Sequence, residues 1–172
     1  MELKGKKIII FIENNYNEFE YWYPCYRLKE AGADVVTVGT GSSEYRSKAG
    51  IPAKADTDFK GINIDDYDGL IIPGGYAPDI MRRYPGMVKL VKDADEKGKV
   101  IAAICHAGWM LASAEIVSNR HVTSFFAIKD DLIHAGAEWT DDEVVVDGNL
   151  ITSRKPDDLP AFMKAFIAAL TK

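Results

Sequence analysis

Four runs of uninterrupted apolar, largely β-branched residues mark the chain: KIIIFI (7–12), DVVTVG (34–39), GLIIPG (69–74) and VIAAIC (100–105). Polar residues do not alternate within them, so both faces of each run should be covered, which is the pattern of buried parallel strands. Between the runs, polar and apolar residues mix as in helices. EFEYWYPCYRLKEAG (18–32) suits a helix that Gly32 ends, GMVKLVKDADEKGK (86–99) joins the third and fourth runs, and GWMLASAEIV (108–117) follows the fourth. Further on, VTSF (122–125) reads as a strand, EVVVDGNLIT (143–152) as a hairpin with an Asp-Gly turn, and LPAFMKAFIAAL (159–170) as a terminal helix docked on the sheet. The segment from Gly41 to Asp66, rich in Gly, Ser, Pro and Asp, reads as a β-excursion before the third strand. The alternation predicts a single three-layer α/β/α sandwich over residues 1–172.

Length and composition fit that picture. The 172 residues are enough for one core, and 47% apolar with 27% charged residues is ordinary for a globular domain. A net charge of −5 with no basic stripe argues against a nucleic-acid partner, and nothing in the composition points to a membrane. The opening apolar run, Ile8 to Ile12, is too short for the core of a signal peptide. With only two cysteines, a reducing cytoplasmic location with free thiols is the expectation. The three histidines, His106, His121 and His134, are dispersed without a metal-ligand spacing, so neither a metal nor an organic cofactor is expected.

In open parallel sheets the working crevice lies beyond the carboxyl ends of the strands, and three features fall there. After the fourth run, AAICHAG places Cys105 beside His106 among small residues, as a sharp strand-to-helix turn requires, and points helix N–H groups toward a thiolate. The inert alternative is a buried core thiol, which is how Cys25 reads. His106 is either an activating base or a surface histidine at a helix start. After the third run, PGGYAPD offers the backbone donors of Gly74 and Gly75 to an oxyanion, and Asp79 as either an orienting carboxylate or the N-cap of DIMRRY. After the first run come Glu18 and Glu20, of which at most one should face the crevice, either sharing a proton with the thiol or acting only as first-turn charges.

The motifs NEFEYWYPCYRLKEAG, LIIPGGYAPD and AAICHAGWML, followed by IKDDLIHAGAEW and EVVVDGNLITSRKPDDLPAF, resemble in that order the ThiJ/PfpI superfamily, and within it the PfpI-type intracellular cysteine peptidases. The resemblance spans nearly the whole chain. It implies a flavodoxin-like sandwich related to class I glutamine amidotransferases, with Cys105 as nucleophile and His106 as its catalytic neighbour. It also implies that Glu20 hydrogen-bonds the sulfur, and that Gly75 forms the oxyanion hole with the amide of His106 or Ala107. Asp79 falls where the family has a glutamate completing a triad across a subunit interface, which implies a homo-oligomer, a dimer or a hexamer built as a trimer of dimers. Two positions depart from the pattern: Asp79 is one methylene shorter, and Ser124-Phe125-Phe126 stands where Ser-Tyr-Pro is usual.

Two classes of function follow. One is a cysteine hydrolase acting on peptides or on small carbonyl substrates, as an intracellular peptidase or as a glyoxalase or deglycase. The other is a non-enzymatic stress-response protein with a redox-sensing cysteine or a client-holding surface.

Overall fold

The computed structural model describes residues 1–172. Its centre is a seven-stranded sheet. β1 (Lys7–Phe11), β2 (Asp34–Gly39), β6 (Gly69–Ile72), β7 (Val100–Ile104) and β11 (Leu150–Ser153) run parallel, with β5 (Thr57–Asp58) and the antiparallel β10 (Val144–Asp147) at the edges. The order is β10-β11-β7-β6-β1-β2-β5. This is the mainly parallel α/β sheet expected, and β1, β2, β6, β7 and β11, five of its six parallel strands, follow the doubly wound order of flavodoxin-like folds. Strand order reverses between β1 and β6, so the loops after those strands open a crevice that the loop after β7 flanks.

The apolar runs form strands because helices cover them on both sides. Ile8, Ile9, Ile10, Leu70, Ile71, Ile72 and Ile101 to Ile104 are all buried. α1 (Glu18–Glu30) and α6 (Leu159–Leu170) contact one another, and α3 (Pro85–Glu96) contacts β6 and β7. α6 buries Phe162, Met163, Phe166, Ile167 and Leu170, the docking expected of its apolar stripe. The excursion before β6 contains the small antiparallel pair β3 (Glu44–Arg46) and β4 (Pro52–Lys54).

Several boundaries differ from the sequence reading. α4 (Gly108–Ser113) stops short of Val117, because Glu115 turns the chain with φ 61°. Of VTSF only Val122 is a strand residue: β8 (His121–Val122) pairs in parallel with β9 (Glu138–Trp139), outside the main sheet. The hairpin turn is centred on Gly148-Asn149, one residue beyond Asp-Gly, with Gly148 at φ 59°. Two short helices, α2 (Ala77–Met81) and α5 (Lys129–His134), complete the chain.

Candidate active site

Cys105 is the first residue after β7. Ile104 is still extended, and Cys105 then takes φ 62° before a single turn leads into α4 (Gly108–Ser113). A side-chain-bearing residue in the left-handed region costs roughly 1–2 kcal/mol, so the packing around it must hold it there. Gly74 permits that packing: a Cβ there would fall 2.7 Å from Cys105 Cβ and 2.6 Å from Glu20 Oε2.

His106 turns its ring back onto its neighbour, with Nδ1 3.1 Å from Cys105 Sγ. Phe125 stacks on the imidazole at 5.0 Å and Trp109 meets it edge-on at 5.1 Å. Burial, with Lys48 adding to it, holds the imidazole pKa below its ordinary value, so the ring is neutral at pH 7. Phe125, which replaces the usual tyrosine, thus supplies a face that fixes the ring and no hydroxyl.

Glu20 is the glutamate that reaches the site, where its hydrogen-bonded partner is the Gly74 amide and not the sulfur. It lies fully buried in the first turn of α1, where Asn17 caps the helix by accepting from the N–H groups of Phe19 and Glu20. Its Oε2 accepts the Gly74 N–H at 2.8 Å, while Oε1 is buried without a hydrogen-bonded partner. Burial raises Glu20 to about 8, against the opposing effects of the Gly74 amide and the Cys105 side chain. Glu18 lines the same cavity.

Two expectations are corrected. The Gly74 N–H is not free for an oxyanion, because Glu20 occupies it; the backbone amides acting on the sulfur are those of Gly75 and His106. Nor does the turn leave a resting thiolate. Burial and the neighbouring Glu20 push the Cys105 thiol up to about 12, outweighing both amides.

The loops that carry these groups are tied together. Tyr16 bridges both Ser47 and Gly75, the Tyr76 N–H donates to the Asn15 carbonyl at 2.9 Å, and the Asn17 N–H donates to that of Gly74 at 3.2 Å. Gly75 needs its φ of 79° and lacks room for a side chain, since a Cβ would meet Asn15 O at 2.4 Å. Asp79 is not an N-cap: Tyr76 holds that position, and Asp79 lies inside α2. Within the chain it pairs with Arg82 at 3.1 Å and with Arg83, and does not touch His106. Its link to the imidazole is indirect, because Arg82 lies over the Trp109 ring that abuts His106. Ala107 is buried in the turn, and Cys25 packs in the core under α1.

Cys105 and His106 open onto a cavity of about 610 Å³ whose rim includes Phe19, Lys48, Tyr76 and Lys155. Sequence reasoning missed both lysines. Lys48 lies in the Gly-, Ser- and Pro-rich excursion, where no periodic pattern marks a site, and Lys155 lies in the motif EVVVDGNLITSRKPDDLPAF, which assigns it no role. No helix is long and apolar enough to cross a membrane.

Comparison with known proteins agrees with this fold. The profile of the DJ-1/PfpI family matches residues 6–169. A Pyrococcus furiosus protein named Deglycase PfpI is 40% identical over 95% of this chain and 99% of its own. General stress protein 18 of Bacillus subtilis is 34% identical over 98% of this chain and 99% of its own. Among solved structures, a two-domain Anabaena variabilis protein with DJ-1/ThiJ/PfpI-like and ferritin-like domains superposes with a TM-score of 0.94 at 41% identity. The match covers 96% of this chain and 48% of that one.

Proposed function

The chain belongs to the DJ-1/PfpI family, and from that premise we propose that it is a cysteine-dependent hydrolase of the PfpI type, with Cys105 as nucleophile. Its substrates are small carbonyl compounds and their adducts, in a deglycase or glyoxalase reaction, or peptides. The observation that carries this reading is the left-handed Cys105 whose sulfur lies 3.1 Å from a neutral imidazole.

The geometry supports attack assisted by general base. A thiol raised this far does not ionise alone at pH 7, so Sγ–C bond formation is coupled to transfer of the thiol proton to His106 Nδ1. The carbonyl π electrons move to oxygen, where the amides of Gly75 and His106 are the nearest candidate donors. With a peptide the proton on His106 passes to the leaving amine and water hydrolyses the thioester; with a 2-oxoaldehyde it passes to the new oxyanion, and the hemithioacetal then shifts its C–H proton to the adjacent carbonyl carbon through an enediol, giving a 2-hydroxyacyl thioester that water hydrolyses. Glu20, neutral below about pH 8, keeps a second negative charge away from the sulfur.

The same reading includes a cytoplasmic homo-oligomer in which Asp79 of a neighbouring copy approaches His106. A relative named as a stress protein keeps the non-enzymatic alternative in view. Incubation with methylglyoxal, with a methylglyoxal-modified amino acid and with a fluorogenic peptide, each beside Cys105→Ala, separates the two. Turnover of at least one substrate, lost in the variant, is expected; no thiol-dependent turnover of any would reject the enzyme reading.

A further inference from the structure

We propose that Lys48 and Lys155 make this cavity selective for carbonyl substrates that carry a carboxylate. The inference rests on the proposed reading for its chemistry, but not for its test.

Lys48 and Lys155, both exposed, line the cavity that contains Cys105 and His106. Their backbones are fixed. The Lys48 N–H donates to the Tyr16 carbonyl at 3.1 Å, and the preceding Ser47 is buried with its Oγ accepting from Ala49 and Ile51. Tyr16 in turn bridges Gly75, so Lys48 is held to the same frame as the sulfur's amides. Lys155 follows Arg154, whose guanidinium is locked between buried Asp158 and Asp141, at 2.9 Å from each.

Neither cation is neutralised within the chain. Lys48 has no carboxylate within ion-pairing distance, and Lys155 has only Asp157 at 3.4 Å, an exposed pair of little energetic consequence. The opposing carboxylate lining the cavity is Glu18, whose buried Oε2 has no partner; Glu20 is buried behind the lining and is neutral below about pH 8. His106 adds no charge there at pH 7. Two ammonium groups therefore face one carboxylate, in a protein whose net charge is −5. The charge of Lys48 also lowers both Glu20 and His106, which places it within electrostatic reach of the reacting groups. A carboxylate attached to the reacting carbonyl carbon would be drawn by both lysines in the same cavity, which Phe19, Trp109 and Phe125 also line.

The test uses iodoacetate and iodoacetamide, two alkylating agents of nearly equal size that differ in charge. Each forms the same Sγ–CH2 bond with loss of iodide, so the ratio of their rates at Cys105, read by mass spectrometry of the Cys105 peptide after digestion, isolates the anion preference from thiol reactivity. Relative to the wild type, the iodoacetate-to-iodoacetamide ratio should fall roughly three- to tenfold in K48M/K155M, the size expected for unit charges several ångströms apart in water-like dielectric, since both lysines are exposed. It should rise in E18Q and shrink in 0.5 M salt, about five times the ionic strength at which the screening length is ~10 Å. An unchanged ratio in K48M/K155M would overturn the inference. A protein that turned over no carbonyl substrate but kept this preference would lose the functional reading and retain this one.

Discussion

At Cys105 a left-handed backbone, burial and two amides act on one residue, and each leaves a measurable trace. The backbone cost appears in stability. Cys105→Ala keeps a Cβ at φ 62° while Cys105→Gly removes it, so the glycine variant should be the more stable of the two by about 1 kcal/mol in urea unfolding. A glycine variant that is less stable would show the conformation to be unstrained. Burial appears in the pH profile. Neutral His106 must accept the thiol proton, and its pKa is depressed, so kcat/KM should rise with pH along an acid limb below pH 6.5. Ionisation of Glu20 near pH 8 makes the thiol still harder to deprotonate, so a basic limb should follow there and disappear in Glu20→Gln. Stability carries the same signature. Glu20 is raised in the folded state, so its neutral form favours folding below the unfolded carboxyl pKa, and that contribution is lost as pH rises toward 8. The wild type should therefore lose on the order of 3–5 kcal/mol between pH 4.5 and pH 8 relative to Glu20→Gln. Parallel stability curves for the two proteins would remove the neutral carboxyl from the account.

At the scale of elements, the site is a junction of three strand ends, and its weak points are the links between them. Asn17 both caps α1 and sets the turn from which Glu20 enters the core. Asn17→Ala should cost about 1 kcal/mol in stability, and it should also lower kcat/KM because Glu20 loses its fixed entry; Asn17→Asp should restore most of both. A cap variant that loses stability but keeps full activity would uncouple the helix start from the site. The strands themselves were legible because burial on both faces imprints a simple pattern, and β2 has the boundaries that pattern predicts. Loops carry no such imprint. Lys48 reaches the cavity through a bridge between Tyr16 and Ser47, a tertiary pairing that local residue types do not encode. Glu20 could be preferred to Glu18 only through the resemblance, since first-turn charge suits either. Gly74 illustrates the opposite error: its exposed-looking amide is consumed by a carboxylate from 54 residues away, and nothing in PGGYAP announces that partner.

For the whole molecule, the open question is what orients His106. Its Nδ1 faces the sulfur, and its other ring nitrogen makes no hydrogen bond within the chain. An imidazole that accepts the thiol proton at Nδ1 must carry its hydrogen on Nε2, and a carboxylate there would stabilise the imidazolium as it forms. Inside one chain, Asp79 cannot be that group, because Arg82 and Arg83 hold it on α2 and only the Trp109 ring links it to His106. A neighbouring copy could present its own Asp79 from outside, and assembly would then complete the site. On that proposal Asp79→Asn, which keeps the side-chain shape and removes the charge, should lower kcat/KM by about tenfold, or ~1.4 kcal/mol of transition-state stabilisation. Global stability should change little, because Asp79 pairs only with partly exposed arginines at the rim. Diluting the wild type until it dissociates should reproduce the loss, and the variant should show no further fall on dilution. If Asp79→Asn is fully active, or if a dissociated monomer works at the full rate, the neighbouring carboxylate has no part in the reaction. Cys105, His106 and Glu20 of a single chain would then be the complete set.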